Sequence, residues 1–367
     1  MAIPKVILIS EFPLPYSKIG SWSTLYKNYL SQENSIDYIV CEQPEYFFRN
    51  VNYQIVKNNF WTKIYKKITK KRHQPFIKAL HKIVDKDEKY MLQIIDNSGF
   101  LIALEAYFEK KGNRKQFYIQ YFYHGYVPVF KKYGEEKFYK KIDELILLTD
   151  KAVNKIKENK NSLQNTISYL HNGVDTAKFF ALSESEKESL NTEMNLAGKK
   201  IFVWCSQDRP KKGLQIILDL WENKYKNNTN YVLLVIGCQP REQKIDGVQF
   251  LGKIKNDLLP KYYQMADVYL FPTLCEEGFG MSLIEAMHCG CYCIASAYGG
   301  VPEVLQYGKF GKLIEHPEDI KNWENAIEDY VNGKVIKTAI PKNLYTSDTW
   351  NNGMNRIVIE AKNRFNI

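Results

Sequence analysis

Residues 271–296 read FPTLCEEGFGMSLIEAMHCGCYCIAS. An apolar run ends at Pro272. A short loop then carries Glu277, Gly278, Phe279 and Gly280, a helical pattern begins near Ser282 and carries Glu285, and a second apolar run occupies 292–296. This order predicts a strand, a helix and a second strand of a parallel sheet, since parallel strands buried on both faces read as unbroken apolar runs and need a crossover between them. Glycines just before a helix let a ligand approach the backbone closely. The free amides at that helix start favour an anion such as phosphate. Carboxylates flank this anion site, and carboxylates accept hydrogen bonds from sugar hydroxyls. Phosphate recognition beside hydroxyl recognition is the combination a nucleotide-sugar requires.

Working outward, the same alternation fills most of the chain. Apolar strand candidates lie at 5–10, 36–41, 91–95, 116–122, 145–148, 201–205, 231–237 and 268–271, with helical patterns between them. That pattern predicts α/β architecture with parallel sheets. At 367 residues the chain exceeds one ordinary core and fits two domains. Asn172-Gly173 is a turn signal after which a fresh series begins, so the reading divides the chain into 1–170, 171–345 and a terminal helix over 346–367 with Met354, Ile357, Ile359 and Ala361 as its apolar series. Hydrophobic residues make up 45% and charged residues 25%, as expected of a globular protein. The absence of an 18-residue apolar run predicts no membrane-spanning helix, and MAIPKVILIS reads as a buried first strand, not a signal peptide. Seven cysteines, an odd number, argue against a secreted disulfide scaffold and for a reducing, cytoplasmic setting. A formal charge of +10 suits anionic partners, and no nucleic-acid-binding motif accompanies it.

The segment EGFGMSLIE, with seven residues between Glu277 and Glu285, resembles the E-x7-E motif of retaining family 4 glycosyltransferases of GT-B fold. IASAYGGVPEVL, with Gly299, Gly300 and Glu303, is similar to the way that family continues. VQFLGKIKNDLLPKYYQMADVYLFPT, which contains Ile254, is similar to the family's strand, loop and helix before the motif, and LHNGVD to its domain-crossing segment. The resemblance implies two Rossmann-like domains with parallel sheets facing an interdomain cleft, the first (1–170) binding the acceptor and the second (171–345) the nucleotide-sugar donor. The terminal helix would pack back on the first domain. Carried over position by position, Glu285 binds the ribose hydroxyls, Glu277 contacts the transferred sugar, and the backbone at Gly278, Phe279, Gly280 and Met281 meets the diphosphate or sugar, with Ile254 also at the donor.

CSQDRPKKGLQIILDL, residues 205–220, is a second element: a strand end, a basic loop and a helix. Arg209, Lys211 and Lys212 offer positive charge to a diphosphate leaving group, and Lys212 is favoured because it directly precedes Gly213. The family's arginine slot, about six residues before the Lys-Gly pair, holds Ser206 here. The arginine role passes to Arg209 or is partly lost. In EFPLPYSKIGSWSTLYKNYL the family's second glycine is replaced, so that Gly20 is followed by Ser21; an ordinary turn and a loop beside the donor phosphate are both compatible. His124, in QYFYHGYVP, matches a family histidine near the transferred sugar, with Gly125 where relatives often carry an acid. Asp96, at the end of another strand, faces the acceptor in this reading. His288 with Cys289, Cys291 and Cys293 lacks a second cysteine pair at zinc spacing; the three thiols read as small hydrophobes on one face of an incoming strand, and no metal is expected.

The resemblance implies retaining transfer of a hexose-type sugar from a UDP- or GDP-sugar to a glycan or lipid-linked acceptor in polysaccharide or glycoconjugate synthesis, with no cofactor required. Arg209, Lys212 and the helix amides would stabilise the departing diphosphate, and positioning would supply much of the rest. A GT-B epimerase or phosphorylase, and a degenerate binding module, are the alternatives. Residues 57–72, KNNFWTKIYKKITKKR, hold seven basic residues and no acid. They read as a basic amphipathic helix suited to the inner, anionic membrane face, or as a helix packed on the first domain with solvated lysines.

Overall fold

A computed structural model describes residues 3–16, 22–57, 72–128, 134–159, 164–241 and 244–366. The chain forms two units, Met1–Asn172 with Ser347–Ile367, and Gly173–Thr346.

The first unit is a seven-stranded sheet of β1 (Lys5–Ile9), β2 (Tyr38–Cys41), β3 (Asn52–Ile55), β4 (Tyr90–Ile95), β5 (Phe117–Phe122), β6 (Glu144–Leu147) and β7 (Thr166–Tyr169), ordered β3-β2-β1-β4-β5-β6-β7. All of its pairings are parallel. Every residue of β4 and β5 is buried, because helices cover both faces. Alternation along β1 sends Ile7 and Ile9 into a core under the helix Gly99–Lys111, and Val6 and Leu8 into a core under the helices Trp22–Leu30 and Ser347–Asn366. The last helix buries Trp350, Met354, Ile357, Val358 and Ala361. Ile359, part of the apolar series in the sequence, is 57% exposed, and Val358 takes the inward position that a 3.6-residue period requires. The rings of Tyr26 and Tyr29 meet Trp350 edge-on at 5.3 and 5.6 Å. Gln93, Gln120 and Glu144 form a buried polar row across three strands, ending in an ion pair from Arg364 to Glu144 at 2.9 Å.

The second unit repeats the winding with β8 (Lys200–Cys205), β9 (Tyr231–Ile236), β10 (Val248–Gly252), β11 (Val268–Phe271), β12 (Tyr292–Ser296) and β13 (Gly311–Ile314), ordered β10-β9-β8-β11-β12-β13 and again parallel throughout. In each unit chain order reverses once, between β1 and β4 and between β8 and β11. Ligands of doubly wound sheets bind beyond the carboxyl ends of the strands at such a reversal.

Four strands, β3, β7, β10 and β13, have no apolar run in the sequence, although β10 lies in the segment that carried the family resemblance. All four are sheet edges, half-buried and mixed in composition, so no unbroken apolar run marks them. Asn172-Gly173, read as a turn signal, does not form a turn; the turn follows at 176–178 and Val174 forms a parallel bridge to Thr346.

Candidate functional site

Two loops at the β8/β11 reversal are pressed together. Gly213, with φ +68°, lies so close to Pro272 that a Cβ there would stand 1.7 Å from the Pro272 carbonyl oxygen. The Leu274 amide donates to the Lys211 carbonyl at 2.8 Å, and the Trp204 indole in β8 donates to the Lys212 carbonyl at 3.3 Å. This stitching brings Lys212 to Glu277. Its ammonium donates to Glu277 Oε1 at 2.5 Å, and the Thr273 hydroxyl donates to the same oxygen at 2.9 Å. Glu277 is held from behind by the loop after β12: the Gly300 amide donates to its carbonyl at 2.8 Å, and a Cβ on Gly299 would stand 2.4 Å from that carbonyl oxygen. Gly299, with φ +62°, therefore serves close backbone approach.

The helix Met281–His288 starts at Gly280, whose φ of +95° suits glycine. No side chain caps that start, so its amides remain suited to an anion. Phe279 is buried with its ring edge-on to Tyr345 at 5.2 Å, so only its backbone is available to a ligand. Gly278 is buried as well. Tyr269 donates to the Ser282 hydroxyl at 2.7 Å, which fixes the first turn against β11. One turn further, Glu285 is 8% exposed. Burial pushes its carboxyl up to about 7, with Lys178, Tyr263 and Asn256 pulling the other way. Lys178 in turn pairs with Asp257 at 2.9 Å and bonds Asn256, in the turn that follows β10 and half-buried Ile254. The two glutamates of the motif are thus unlike: Glu277 is a half-buried carboxylate on a lysine, and Glu285 is a buried acid titrating near neutrality.

Other residues singled out in the sequence lie where less holds them. Arg209 is exposed at the start of the Pro210–Lys212 turn, and no ion pair ties it to a described residue. Ser206 continues the β8 pairing through its amide to Ile236 at 3.1 Å. Gly20 and Ser21 lie outside the described residues, as do 58–71 of the basic stretch 57–72. Cys289, Cys291 and Cys293 do not share a strand face: Cys289 closes the helix, Cys291 precedes β12, and only Cys293 lies in it, all three buried. Among the described residues there is no cluster of three His, Cys, Asp or Glu side chains able to hold a metal, and no helix long and apolar enough to cross a membrane.

In the first unit, at the ends of β4 and β5, Asp96 adopts φ +50° and accepts from the His124 amide at 2.8 Å and from its Nδ1 at 3.0 Å. Both carboxylate oxygens of Asp96 thus face His124, which leaves Nε2 as the outward nitrogen. The Trp22 ring lies 6.5 Å from the imidazole. A Cβ at Gly125 would come within 2.5 Å of the Tyr123 ring, so a side chain there requires that ring to shift. Beside this pair, Asn97 donates to Glu11 at 2.6 Å and Arg72 pairs with the same carboxylate. Sequence reasoning missed Glu11, Asn97, Lys178, Asn256, Tyr263 and Thr273. The usable signal was position, since Glu11, Asn97 and Thr273 stand within two residues after strand ends at the two reversals.

Residues 186–345 match the family "Glycosyl transferases group 1". N-acetyl-alpha-D-glucosaminyl L-malate synthase of Bacillus anthracis is 31% identical over 160 residues, which is 41% of this chain and 40% of that protein. The chain spans less than two thirds of the curated relatives it matches, 37–59% for three of them. Sucrose-phosphate synthase from Thermosynechococcus elongatus superposes with TM-score 0.69 at 16% identity, covering 97% of this chain and 98% of that one. Anabaena HepE in complex with UDP superposes with TM-score 0.65 at 14% identity, covering 98% of each. The chain therefore has the GT-B fold, and residues 186–345 of its second unit are similar to the group 1 glycosyl transferases.

Proposed function

We propose that the chain is a retaining glycosyltransferase that moves a hexose-type sugar from a UDP- or GDP-sugar to a glycan or lipid-linked acceptor. The observation that carries this is the Lys212–Glu277–Thr273 cluster at the uncapped, glycine-started helix, with the buried Glu285 one turn along. The second unit binds the donor. Backbone amides at 278–281 meet the diphosphate, Glu285 accepts from the ribose hydroxyls, and Ile254 and Ser206 complete that side. Lys212 has three N–H donors. One is spent on Glu277 and two remain for phosphate oxygens, so the carboxylate aims the ammonium without consuming it. Charge growing on the leaving diphosphate is then stabilised by Lys212, by the helix amides and by Arg209 once it turns inward. Glu277, at the same point, contacts the transferred sugar.

The first unit binds the acceptor through Asp96 and His124. Asp96 fixes the imidazole with Nδ1 inward, so that Nε2 meets a hydroxyl. The leaving phosphate accepts the acceptor's proton, and reaction on one face of the sugar gives retention without an enzyme nucleophile. UDP is the first nucleotide to try, because a chain of this fold has been solved with it. Thermal unfolding with UDP and GDP tests the site. A nucleotide at about a hundred times its Kd stabilises by about 2.7 kcal/mol, and Glu285→Ala should abolish the shift. An unchanged shift in the variant removes the ribose assignment. The anomeric configuration of the product, read by NMR, tests retention.

A further inference from the structure

The second unit contains a cavity of about 710 Å³ at the opposite end of the sheet from the proposed donor site. Tyr292, which opens β12, lines it, whereas Gly299 and Gly300 beyond the other end of β12 support Glu277. Met287 and His288, the last turn of the helix whose first turn faces the proposed phosphate, form part of its wall. The volume falls in the range of small-molecule sites. Its interior is apolar, built from Phe179, Met287, Tyr292, Phe310 and Ile340, with Phe180 half-exposed at the rim. The lining contains no carboxylate. It contains two lysines, Lys337 and Lys342, both exposed and neither ion-paired to a described residue. Both stand on an irregular strap over 335–343 that closes one side. Burial pushes the Cys291 thiol at this cavity up to about 12, with Lys187 and Lys337 opposing the rise and Asp267 adding to it. Burial lowers the His288 pKa, and the contact of its Nε2 with the Leu344 carbonyl at 2.8 Å opposes this.

An apolar chamber with unpaired cations at its mouth and no acid in its wall matches one chemistry. We infer that this cavity binds a single-chain anionic amphiphile, the alkyl chain against the aromatic wall and the anionic head on Lys337 and Lys342. A neutral chain would forgo the lysines, and a cationic one would meet them. The site lies apart from the proposed donor site, so its occupancy can be read without turnover and its failure leaves the donor reading intact.

Isothermal titration of the intact protein with decyl phosphate, below its micelle concentration, tests the inference. Saturable one-to-one binding is expected, about fifteenfold tighter than octyl phosphate at about fourfold per methylene. Lys337→Glu with Lys342→Glu should weaken it tenfold or more. Ala339→Trp, on the exposed strap, should obstruct the chamber and weaken binding without lowering the unfolding temperature. Decyltrimethylammonium should not bind. Absence of decyl phosphate binding to the intact protein, an unchanged Kd in either variant, or equal affinity for the cationic chain overturns the inference.

Discussion

Replacing Glu285 by Gln tests the most unusual electrostatic feature of the second unit. The carboxyl is moved from 4.5 to about 7, chiefly by burial. The folded protein thus holds this proton more tightly than the unfolded chain does. Below about pH 4.5 both states are protonated and the group contributes nothing. As pH rises from about 4.5 to about 7 the unfolded chain releases the proton first, so stability falls; above about 7 both states are ionised and the loss is complete. A displacement of roughly 2.5 units at 1.36 kcal/mol each puts that loss at about 3 kcal/mol. Glutamine keeps the shape and never ionises. Its amide donors bring a cost of their own, but that cost is independent of pH, so the informative quantity is the change in the variant-minus-parent difference. For a unit the size of Gly173–Thr346, at about 2–4 °C per kcal/mol, the difference in unfolding temperature should be roughly 6–12 °C more favourable to Glu285→Gln at about pH 8.5 than at about pH 4.5. Calorimetry of both proteins at the two pH values, without nucleotide, measures this. A difference that stays the same at both pH values refutes the buried-acid argument.

Lys212→Met should lower kcat by about 10²- to 10³-fold, as expected for removing one stabiliser of leaving-group charge; a parent-like kcat would remove Lys212 from the clamp. Gly299→Ala combines φ +62° with a Cβ 2.4 Å from the Glu277 carbonyl oxygen and should cost about 2–4 kcal/mol, measured by urea unfolding, where an unchanged midpoint contradicts the close approach. Arg364→Met strands the Glu144 carboxylate, 1% exposed on its side chain, and should cost about 2–3 kcal/mol, discounted for the partly exposed arginine. Adding Glu144→Gln should restore part of that loss, and strictly additive costs would show that the pair is not coupled.

The central strands were legible because burial on both faces leaves an unbroken apolar run: Met91 to Ile95 and Tyr292 to Ser296 could be read directly. The edges were not, since Asn52–Ile55 and Thr166–Tyr169 pack on fewer neighbours and carry polar residues that open apolar runs cannot. Within the site, the anchoring of Glu277 was only half legible. EGFG marks a loop before a helix, but the grip of Gly213 on Pro272 and of Gly299 on Glu277 joins residues far apart in sequence. The Asp96–His124 pair was legible as two candidates, and only the parallel pairing of β4 with β5 shows that one orients the other. Lys178 and Tyr263 carry no local signature, because their role is to face a carboxylate that the helix delivers from elsewhere.

The closing helix has a consequence for how the molecule is made. Residues Ser347–Asn366 cover one side of the sheet that the first 172 residues build. During synthesis the helix Trp22–Leu30 covers only part of that side, and the rest waits open while the whole intervening unit emerges from the ribosome. The second unit is continuous and can fold as soon as it is complete, whereas the first must hold an oily surface open until the final turns arrive. Premature termination near residue 346 would therefore leave a sound second unit joined to a sticky, chaperone-dependent first one.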